Sequence, residues 1–488
     1  MLVKLSVNEC ENPIRTKVVR EMCETFTKVV REMCKLLLKA LYWSESLFNK
    51  EVMAMYRSLM EDLIAWKNST ERKPLILKGA RQTGKTWLMN EFARKEYKNV
   101  VRIDFLMEPS ACSLFEQDLD PHKIVRQIEL RTGNVIDPSN TLILFDEIQE
   151  APQGLVSLKY FCEQASEYHI IAAGSYMGIS MRGEGVSFPV GKVDQLILYP
   201  MSFVEFVRAT SGDPLADELL QANKSNLKAV EDILQAKLKE YLVVGGMPGV
   251  VNSYVLHQDL LACRRIQSQI INDYESDFGK YAPARIQERM RLVWHSLPSQ
   301  LAKENKKFIY GVVRKGGRAR DFEESIQWLI DYGILYKVSR VAALRFPFAS
   351  YEDAQAFKIF CLDVGLLGAL SNLDPAIILS DSMRLFTEFK GAITEQYVAQ
   401  SLLSQNKAPV YWSSESGRAE TDFAVEYKSQ PYPIEVKAGE NLQSKSLKIA
   451  VEKFDLSHAI RTSLSSYRDD GWLVNIPLWA IAQYEQWV

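Results

Sequence analysis

One short glycine-containing pattern constrains the fold of this 488-residue chain more than any other feature. The stretch Leu75–Leu88 has the sequence LILKGARQTGKTWL, which predicts an apolar strand, a loop and then an amphipathic helix. Within it, Gly79-x-x-x-x-Gly84-Lys85-Thr86 matches the phosphate-binding loop of nucleotide-binding proteins. Glycine permits backbone angles and close approaches that a side chain would block. The alternative is an ordinary glycine turn between a strand and a helix, but the strand–loop–helix context favours nucleotide binding.

Each part of the loop has a physical role in holding a nucleotide. The loop amides and the positive end of the following helix attract phosphate oxygens. The ammonium of Lys85 is expected to reach the β- and γ-phosphates, and the Thr86 hydroxyl to bind Mg²⁺. The cofactors predicted by this motif are therefore ATP or GTP together with Mg²⁺. The predicted nucleotide-binding residues of the loop are Gly79, Ala80, Arg81, Gln82, Thr83, Gly84, Lys85 and Thr86.

A second apolar run, Thr141–Glu147, ends in two carboxylates and completes the predicted hydrolysis site. Asp146 at the strand tip is expected to hold Mg²⁺ through water, and Glu147 to polarise the attacking water. The next predicted strand ends at Ser175, which is placed to sense the γ-phosphate. A helix cap is the alternative role for this serine, because serine suits both positions.

Composition limits the class of protein. The chain is 47% hydrophobic and 25% charged, which is typical of globular proteins. The net charge of −2 excludes a polycationic chain, so any nucleic-acid surface must be local. Seven dispersed cysteines indicate free thiols in a reducing compartment, and the five histidines show no zinc-ligand spacing. Because no apolar run is long enough for a membrane helix, we expect a cytoplasmic location and no membrane partner.

Two further segments stand apart from the alternating β and α signals. The sequence TKVVREMC occurs at residues 16–23 and again at 27–34, an eleven-residue period that predicts a helix with a repeated face. Self-association is one possible role for it. Residues 303–320 carry seven Lys or Arg against one Glu, between predicted helices and before the strand-like Ile334–Ser339. This order suggests a winged helix that contacts DNA; the alternative is a solvated loop beside a structural helical module.

The C-terminal part carries a second constellation of charged residues. A predicted helix contains Glu395, and two predicted strands contain Asp422 and then Glu435-x-Lys437. Side chains two residues apart on a strand point to the same side. PD-(D/E)xK nuclease sites have an Asp followed by Glu-x-Lys, and the twelve residues between Asp422 and Glu435 match their spacing. In such sites the acids hold Mg²⁺ and the lysine steadies the nucleophilic water. The alternative is an edge strand with solvated charges, because the motif is short and degenerate.

Several motifs in order carry a resemblance to a known family. They are LKGARQTGKT, FDEIQ, AGS ending at Ser175, YPMSFVEF ending at Phe206, GGMP ending at Pro248 and KIFCLDVGLL starting at Lys358. Over about residues 56–488 the chain resembles prokaryotic AAA-type ATP-binding proteins that carry a C-terminal domain of uncharacterised function. The resemblance implies ATP rather than GTP. One departure is Gly191-Lys192, where relatives often have Gly-Arg, so we assign no arginine finger.

The resemblance also implies an α/β multidomain fold, with a P-loop AAA-like parallel sheet, a helical and winged-helix middle and a C-terminal restriction-endonuclease-like α/β domain. The expected divisions are an appended helical segment (1–52), the ATPase domain (53–210), the helical and winged-helix region (211–345) and the nuclease-like domain (346–488). The first functional hypothesis is an ATPase whose cycle controls a metal-dependent nuclease acting on DNA or RNA. The alternative is an ATP-dependent switch whose nuclease-fold module binds without cutting. The sequence leaves the oligomeric state open.

Overall fold

A parallel sheet carries the phosphate-binding loop, and its strand order is β2-β3-β4-β1-β5. All of its pairings are parallel, and β3 and β4 are buried almost throughout, as expected for strands covered on both faces. The parallel arrangement brings the ends of β1, β3 and β4 to one edge of the sheet. The strands are β1 (Leu75–Lys78), β2 (Asn99–Asp104), β3 (Thr141–Asp146), β4 (His169–Ala173) and β5 (Asp194–Ile197).

The computed structural model describes residues 55–175, 188–303, 307–376, 387–415, 417, 419–439 and 444–488. The eleven-residue repeat and the predicted segment 1–52 lie outside the described residues. Residues 56–488 form one compact unit. Among the described residues, no helix combines the length and the apolar character that a membrane span requires.

Helices pack on both faces of the parallel sheet. One face is filled by an aromatic cluster that includes Phe105, Phe115 and Phe145, and the other by the apolar side of the helix after the loop, including Leu88 and Phe92. The alternation of strands and helices predicted from the sequence is therefore present. The helical segments are α1 (Leu59–Asn68), α2 (Lys85–Glu96), α3 (Pro121–Thr132), α4 (Pro152–Gln164) and the 3-10 turns Pro109–Phe115 and Ile148–Glu150.

A helical region follows the parallel sheet. It begins at a capping box, in which Ser202 accepts the Glu205 amide N–H and the Glu205 carboxylate accepts the Ser202 amide N–H. The helices are α5 (Phe203–Ser211), α6 (Asp213–Gln221), α7 (Lys224–Ala229), α8 (Glu231–Val244), α9 (Pro248–His257), α10 (Leu260–Tyr281), α11 (Ala284–Leu301), α12 (Tyr310–Val313) and α13 (Ala319–Asp331).

A second sheet of mixed direction forms the C-terminal part, in the order β12-β13-β11-β10-β9-β8-β6-β7. The strands are β6 (Leu335–Val341), β7 (Glu352–Cys361), β8 (Val410–Ser413), β9 (Glu420–Tyr427), β10 (Gln430–Val436), β11 (Ala459–Ser463), β12 (Arg468–Asp469) and β13 (Leu473–Pro477). The accompanying helical segments are α14 (Val364–Leu370), α15 (Thr387–Ser404), α16 (Lys445–Phe454) and the 3-10 turns Phe348–Tyr351 and Leu478–Gln486.

The sheet extends across the boundary expected between residues 345 and 346. β6 pairs antiparallel with β7 and parallel with β8, so residues 335–341 belong to the same sheet as the C-terminal strands. A winged helix is expected to have helices followed by a strand pair that forms the wing. The chain has this order of elements in α11, α12, α13, β6 and β7, with a longer strand pair in the place of the wing. The winged-helix and restriction-endonuclease-like identities stay predictions.

Candidate functional site

Backbone geometry shapes the loop between β1 and α2. Gly79 has φ 154°, and a Cβ there would lie 2.5 Å from the carbonyl oxygen of Leu198 on the neighbouring chain segment. Gly84 has φ 93° immediately before α2, a region that favours glycine. Gln82 also has a positive φ of 65°. The loop amides therefore lie at the N-terminus of α2, where a phosphate is electrostatically favoured.

Lys85 lies inside this loop. Its ammonium donates to the carbonyl oxygens of Gly79 and Ala80, both at 2.9 Å, and to the Ser175 hydroxyl at 3.1 Å. Lys85 and Ser175 are both buried. The structure thus brings the predicted loop lysine and the predicted serine at the end of β4 into direct contact. Burial lowers the pKa of Lys85 to about 8, although the carboxylates of Glu147 and Asp146 oppose this by favouring the ammonium.

The predicted magnesium ligands also meet. The Thr86 hydroxyl lies 3.2 Å from Oδ2 of Asp146, which is buried at the end of β3. A hydroxyl and a carboxylate are hard oxygen ligands, and together with phosphate oxygens and waters they fit Mg²⁺. When bound, the ion would neutralise phosphate charge. Arg102 also lies at this site, with its guanidinium 2.7 Å from Asp146 Oδ2 and 3.1 Å from Asp104 Oδ2. No sequence pattern indicated this contact.

Glu147 occupies a strained position at the tip of β3. Its φ of 53° and ψ of 44° lie in the left-handed region, which costs a non-glycine residue about 1–3 kcal/mol. The side-chain amide of Gln149 donates to Oε2 of Glu147 at 2.5 Å. This contact orients the carboxylate that is predicted to polarise water. Gln149 was not singled out from the sequence, because its role depends on the turn after β3.

Helix α10, which follows the loop much later in the chain, contacts the loop through three side chains. Arg81 donates to both carboxylate oxygens of Asp277, at 2.8 and 2.7 Å, and Gln82 donates to Asp273 at 2.8 Å. The Tyr274 hydroxyl donates to the Arg81 carbonyl oxygen at 2.7 Å. Two residues of the loop are therefore held by side chains that lie almost two hundred positions later in the chain.

Arg57 supports the loop from the N-terminal side. It is buried, it donates to the Thr83 carbonyl oxygen at 2.9 Å, and it also donates to the Tyr199 carbonyl oxygen. Its Nε lies 3.3 Å from Glu205, whose side chain is equally buried. The Glu205 carboxylate additionally accepts the Ser58 amide N–H at 2.7 Å. These bonds tie the start of α1, the loop and the start of α5 together.

The glycine-rich GGMP motif lies beside the same loop. A Cβ on Gly246 would lie 2.1 Å from the Met201 carbonyl oxygen, and one on Gly245 would lie 2.1 Å from Asp363 Oδ1. Both positions therefore require glycine. The Pro248 ring lies 3.6 Å from the position of a Cβ on Gly84. The motif is thus the point at which the loop, the segment before α5 and the residue before α14 approach one another.

The predicted C-terminal site residues lie close to one another but are already engaged within the chain. Asp422 Oδ2 accepts the Val436 amide N–H at 2.8 Å, and Glu435 Oε1 lies 2.6 Å from the Lys437 ammonium. Glu395 is buried on α15. Within the described residues, no group of three Asp, Glu, His or Cys side chains is arranged to hold a metal ion. Two carboxylates of the nuclease motif are thus bonded to a backbone amide and to a lysine, while Oε2 of Glu435 is buried without a hydrogen-bond partner.

A lysine that the sequence analysis did not single out as a site residue lies among these acids. The ammonium of Lys358 on β7 is 2.7 Å from Glu420 Oε1, and its side chain is 1% exposed. Burial alone would lower the pKa of Lys358, but Glu395, Glu420 and Asp422 outweigh it and raise the pKa above its ordinary value.

The lowered pKa of Lys85 predicts a pH dependence of nucleotide binding. Bound phosphates favour the ammonium, so above a pH of about 8 binding must take up a proton. The affinity for ATP should therefore be level near neutral pH and fall as pH rises, by up to about tenfold per unit. A fluorescent ATP analogue titrated at successive pH values measures this. Lys85→Arg, which stays charged, should flatten the profile; an unchanged slope in that variant would contradict the assignment.

Three family matches divide the chain. Residues 71–207 match the AAA domain. Residues 235–376 match a domain of unknown function (DUF8612), which spans β6 and β7 and so also crosses the expected boundary at residue 345. Residues 390–481 match another domain of unknown function (DUF4143). No curated protein matches the chain.

Solved structures with distant similarity include a Walker-type ATPase of Pyrococcus abyssi, with 12% identity over 65% of this chain and 96% of that chain and a TM-score of 0.38. The ORC1 protein of Aeropyrum pernix in complex with DNA has 13% identity over 64% and 90% and a TM-score of 0.27. The ORC2 protein of the same organism, in ADPNP–ADP complexes, has 12% identity over 68% and 98% and a TM-score of 0.32. The AAA domain match, the phosphate-binding loop and the Asp146–Glu147 pair together support an AAA-type ATPase that binds ATP.

Proposed function

We propose that this chain is an ATP-hydrolysing switch, in which the nucleotide bound at the loop alters the C-terminal sheet and thereby its hold on nucleic acid. The observation that carries the proposal is the contact of α10 with the loop, through Arg81–Asp277, Gln82–Asp273 and Tyr274. When nucleotide phosphates bind the loop side chains that α10 contacts, the contacts of α10 differ from those in the nucleotide-free chain. Such a difference is what a ligand needs in order to shift a conformational equilibrium.

Hydrolysis is assigned to side chains that the structure brings to one edge of the parallel sheet. Lys85 neutralises charge on the transferred phosphoryl group, and Thr86 and Asp146 would hold a magnesium ion when one is bound. Glu147 polarises the attacking water, with Gln149 fixing its carboxylate.

The arrangement of Arg81 explains how nucleotide could act on α10. Its side chain is 44% exposed and lies on the loop expected to surround the phosphates, while its guanidinium donates to both carboxylate oxygens of Asp277. An anionic phosphate offers the same planar cation a competing partner. Arg81 therefore exchanges one partner for the other, and α10 is released from the loop as the phosphate is bound.

From α10 the contacts continue to the C-terminal sheet. Arg264 on α10 donates to the carbonyl oxygen of Gly365 at the start of α14 and to that of Leu373 just after α14, both at 3.1 Å. Asp363, immediately before α14, accepts the Gly246 amide N–H at 2.6 Å and the Gln400 side-chain amide at 3.2 Å. Gln400 lies on α15, which packs against β7 and β10. The contacts of Asp363 are buried, and those of Arg264 are partly buried.

Nucleic acid is the proposed partner because of the cations around α12 and α13. Exposed basic residues follow one another through the turn before α13, and the phosphate backbone supplies most of the affinity for such a surface. Binding through this surface is expected to weaken steeply with salt. The exposed cations are Lys307, Arg314, Lys315, Arg318 and Arg320.

Asp277→Asn tests the coupling. The variant removes the charge that holds Arg81, so ATP should bind about fivefold more tightly, corresponding to the ~1 kcal/mol of a partly exposed ion pair. At the same time, the response of the C-terminal sheet to ATP should be lost. Hydrogen–deuterium exchange of peptides from α14 and α15, with and without ATP, measures that response, and equilibrium binding measures the affinity.

Glu324→Gln provides the matched control, because it removes a carboxylate from the exposed Arg285–Glu324 pair on neighbouring helices. We expect both the affinity and the exchange response of this control to equal those of the natural chain. A full exchange response in Asp277→Asn would show that the signal does not pass through α10, and the coupling proposal would then fail.

A second candidate function is cleavage of DNA or RNA by the C-terminal domain. The approach of Asp422 to the backbone of β10, beside the Glu435–Lys437 pair, favours it. Against it stand the internal contacts of Asp422 and Glu435 and the buried Lys358 ammonium beside Glu420. The switch is therefore the better-supported function.

A further inference from the structure

We infer that the ammonium of Lys358 takes the place of a metal ion among the carboxylates of the C-terminal cluster. The nuclease-like module is then stabilised by internal ion pairing and binds no catalytic metal. The cluster consists of Glu395, Glu420 and Asp422. The inference concerns the C-terminal module of the proposed switch but does not depend on the coupling through α10.

Distances place the ammonium within the cluster. Lys358 Nζ lies 2.7 Å from Glu420 Oε1, 3.5 Å from the Asp422 carbonyl oxygen and 4.7 Å from the centre of the Tyr411 ring. The side chain starts on β7, and its ammonium lies beside residues of β8 and β9, two strands that do not pair with β7. A lysine buried in this way, with its side chain 1% exposed, has its charge compensated by the acid it contacts.

Backbone contacts fix the position of the lysine relative to Glu395. Gln396, the next residue on α15, accepts the Cys361 amide N–H at 2.8 Å and donates to the Cys361 carbonyl oxygen at 2.7 Å. Both Gln396 and Cys361 are fully buried. α15 is thereby held to the end of β7, the strand that carries Lys358. The proximity of Lys358 and Glu395 is therefore part of the packing rather than a chance rotamer of a surface side chain.

One carboxylate oxygen of each remaining acid in the nuclease motif has an internal partner, whereas Oε2 of Glu435 is buried without a hydrogen bond. Asp422 Oδ2 accepts the Val436 amide N–H, and Glu435 Oε1 pairs with Lys437. A divalent ion would have to displace these donors and would lie beside a buried ammonium of like charge. The ion would share its carboxylates with the Lys358 ammonium, although a hard cation needs several oxygen ligands of its own. The same contacts stabilise the module without a metal.

Metal binding by the full chain, without nucleotide, tests the inference. Mn²⁺ is titrated and its bound fraction followed by electron paramagnetic resonance. We expect the natural chain to have no Mn²⁺ site that is lost when Asp422 is replaced. Lys358→Met should create one site per chain, at least about tenfold tighter than any in the natural chain, because the carboxylates lose their cation. Lys358→Met/Asp422→Asn should remove that site again. Lys337→Met, the same change at an exposed lysine on β6, should create none.

Lys358→Met also leaves buried acids uncompensated and is at risk of not folding. Two further comparisons test the inference even if this variant does not fold. Lys358→Met/Glu420→Gln removes both partners of the closest pair, and thermal melting of this variant should be closer to that of the natural chain than the melting of the single variant. The comparison of the natural chain with Asp422→Asn needs no change at Lys358 at all.

The inference is overturned if the natural chain binds one Mn²⁺ that Asp422→Asn abolishes. It is equally overturned if the purified chain, given Mg²⁺ or Mn²⁺, cleaves plasmid, single-stranded DNA or RNA and Asp422→Ala removes that cleavage. Absence of both supports it. These assays contain no ATP and do not involve Asp277, so their failure is distinguishable from failure of the proposed switch.

Discussion

Lys85→Ala is expected to lower the rate of ATP hydrolysis by at least ~100-fold, the usual effect of removing a preorganised charge from a water-excluded site. The ammonium is buried and bonded to two carbonyl oxygens of the loop and to Ser175, so it is positioned before the nucleotide arrives. A preorganised charge stabilises the transition state without reorganisation during the reaction. Single-turnover release of phosphate, with ATP above its dissociation constant, measures the effect on the chemical step.

Lys78→Ala is the matched control for this variant. Lys78 is also a partly buried lysine next to the loop, but its ammonium lies 5.4 Å from the centre of the Phe188 ring. Its removal is expected to change the hydrolysis rate by less than about threefold. If Lys85→Ala hydrolyses ATP within tenfold of the natural chain, the assignment of this lysine to the phosphates is wrong. Equal losses in both variants would indicate instead that the loop has lost its structure.

The residues of this nucleotide site were predictable because each rests on a local pattern. The glycines, Lys85 and Thr86 are contained in one loop, and Asp146 and Ser175 each follow an apolar strand. Parallel strands bring their ends to one edge of a sheet, so the strand tips converge without further information. The geometry of the loop, the Thr86–Asp146 contact and the Lys85–Ser175 bond agree with that expectation.

The partners that hold the site could not be predicted in the same way. Asp277 is bonded to Arg81 across 196 positions of sequence, and Glu205 is bonded to Arg57 across 148. Neither pair has a pattern that distinguishes it from surface charge. Lys358 is a similar case: it stands in the buried run of β7, and its partners lie on other strands. A charge within an apolar run signals a buried pair only once the strand order is known.

Domain limits were hard to place for a related reason. The expected boundary at residue 345 lies in the turn with polar and aromatic residues that separates β6 from β7. In the structure the two strands pair with each other, and β6 also pairs with β8, which comes about seventy positions later. Strand pairing at such separation is a property of the tertiary fold. The expected boundary at residue 345 therefore lies between two paired strands of one sheet.

Arg57→Ala is expected to destabilise the nucleotide-binding domain by about 3–5 kcal/mol, the usual result of leaving one charge of a buried pair without its partner. Arg57 and Glu205 side chains are 4% and 5% exposed. The variant also leaves the carbonyl oxygen of Thr83 without the Arg57 donor, and this oxygen belongs to the phosphate loop. ATP should therefore bind more weakly as well. Urea unfolding followed by tryptophan fluorescence, in the presence and absence of ATP, measures both effects.

Two further variants separate the buried charge from the loss of packing. Arg57→Met/Glu205→Gln keeps most of the volume and an acceptor oxygen for the Ser58 amide N–H, while removing both charges. It should recover at least half of the stability lost in Arg57→Ala, because a buried pair is costly mainly when one partner is missing. Arg94→Ala, at an exposed pair with Glu91, should leave the unfolding midpoint unchanged. If Arg57→Ala unfolds at the same urea concentration as Arg94→Ala, then the pair is dispensable, and α1, the loop and α5 must be held together by their apolar contacts alone.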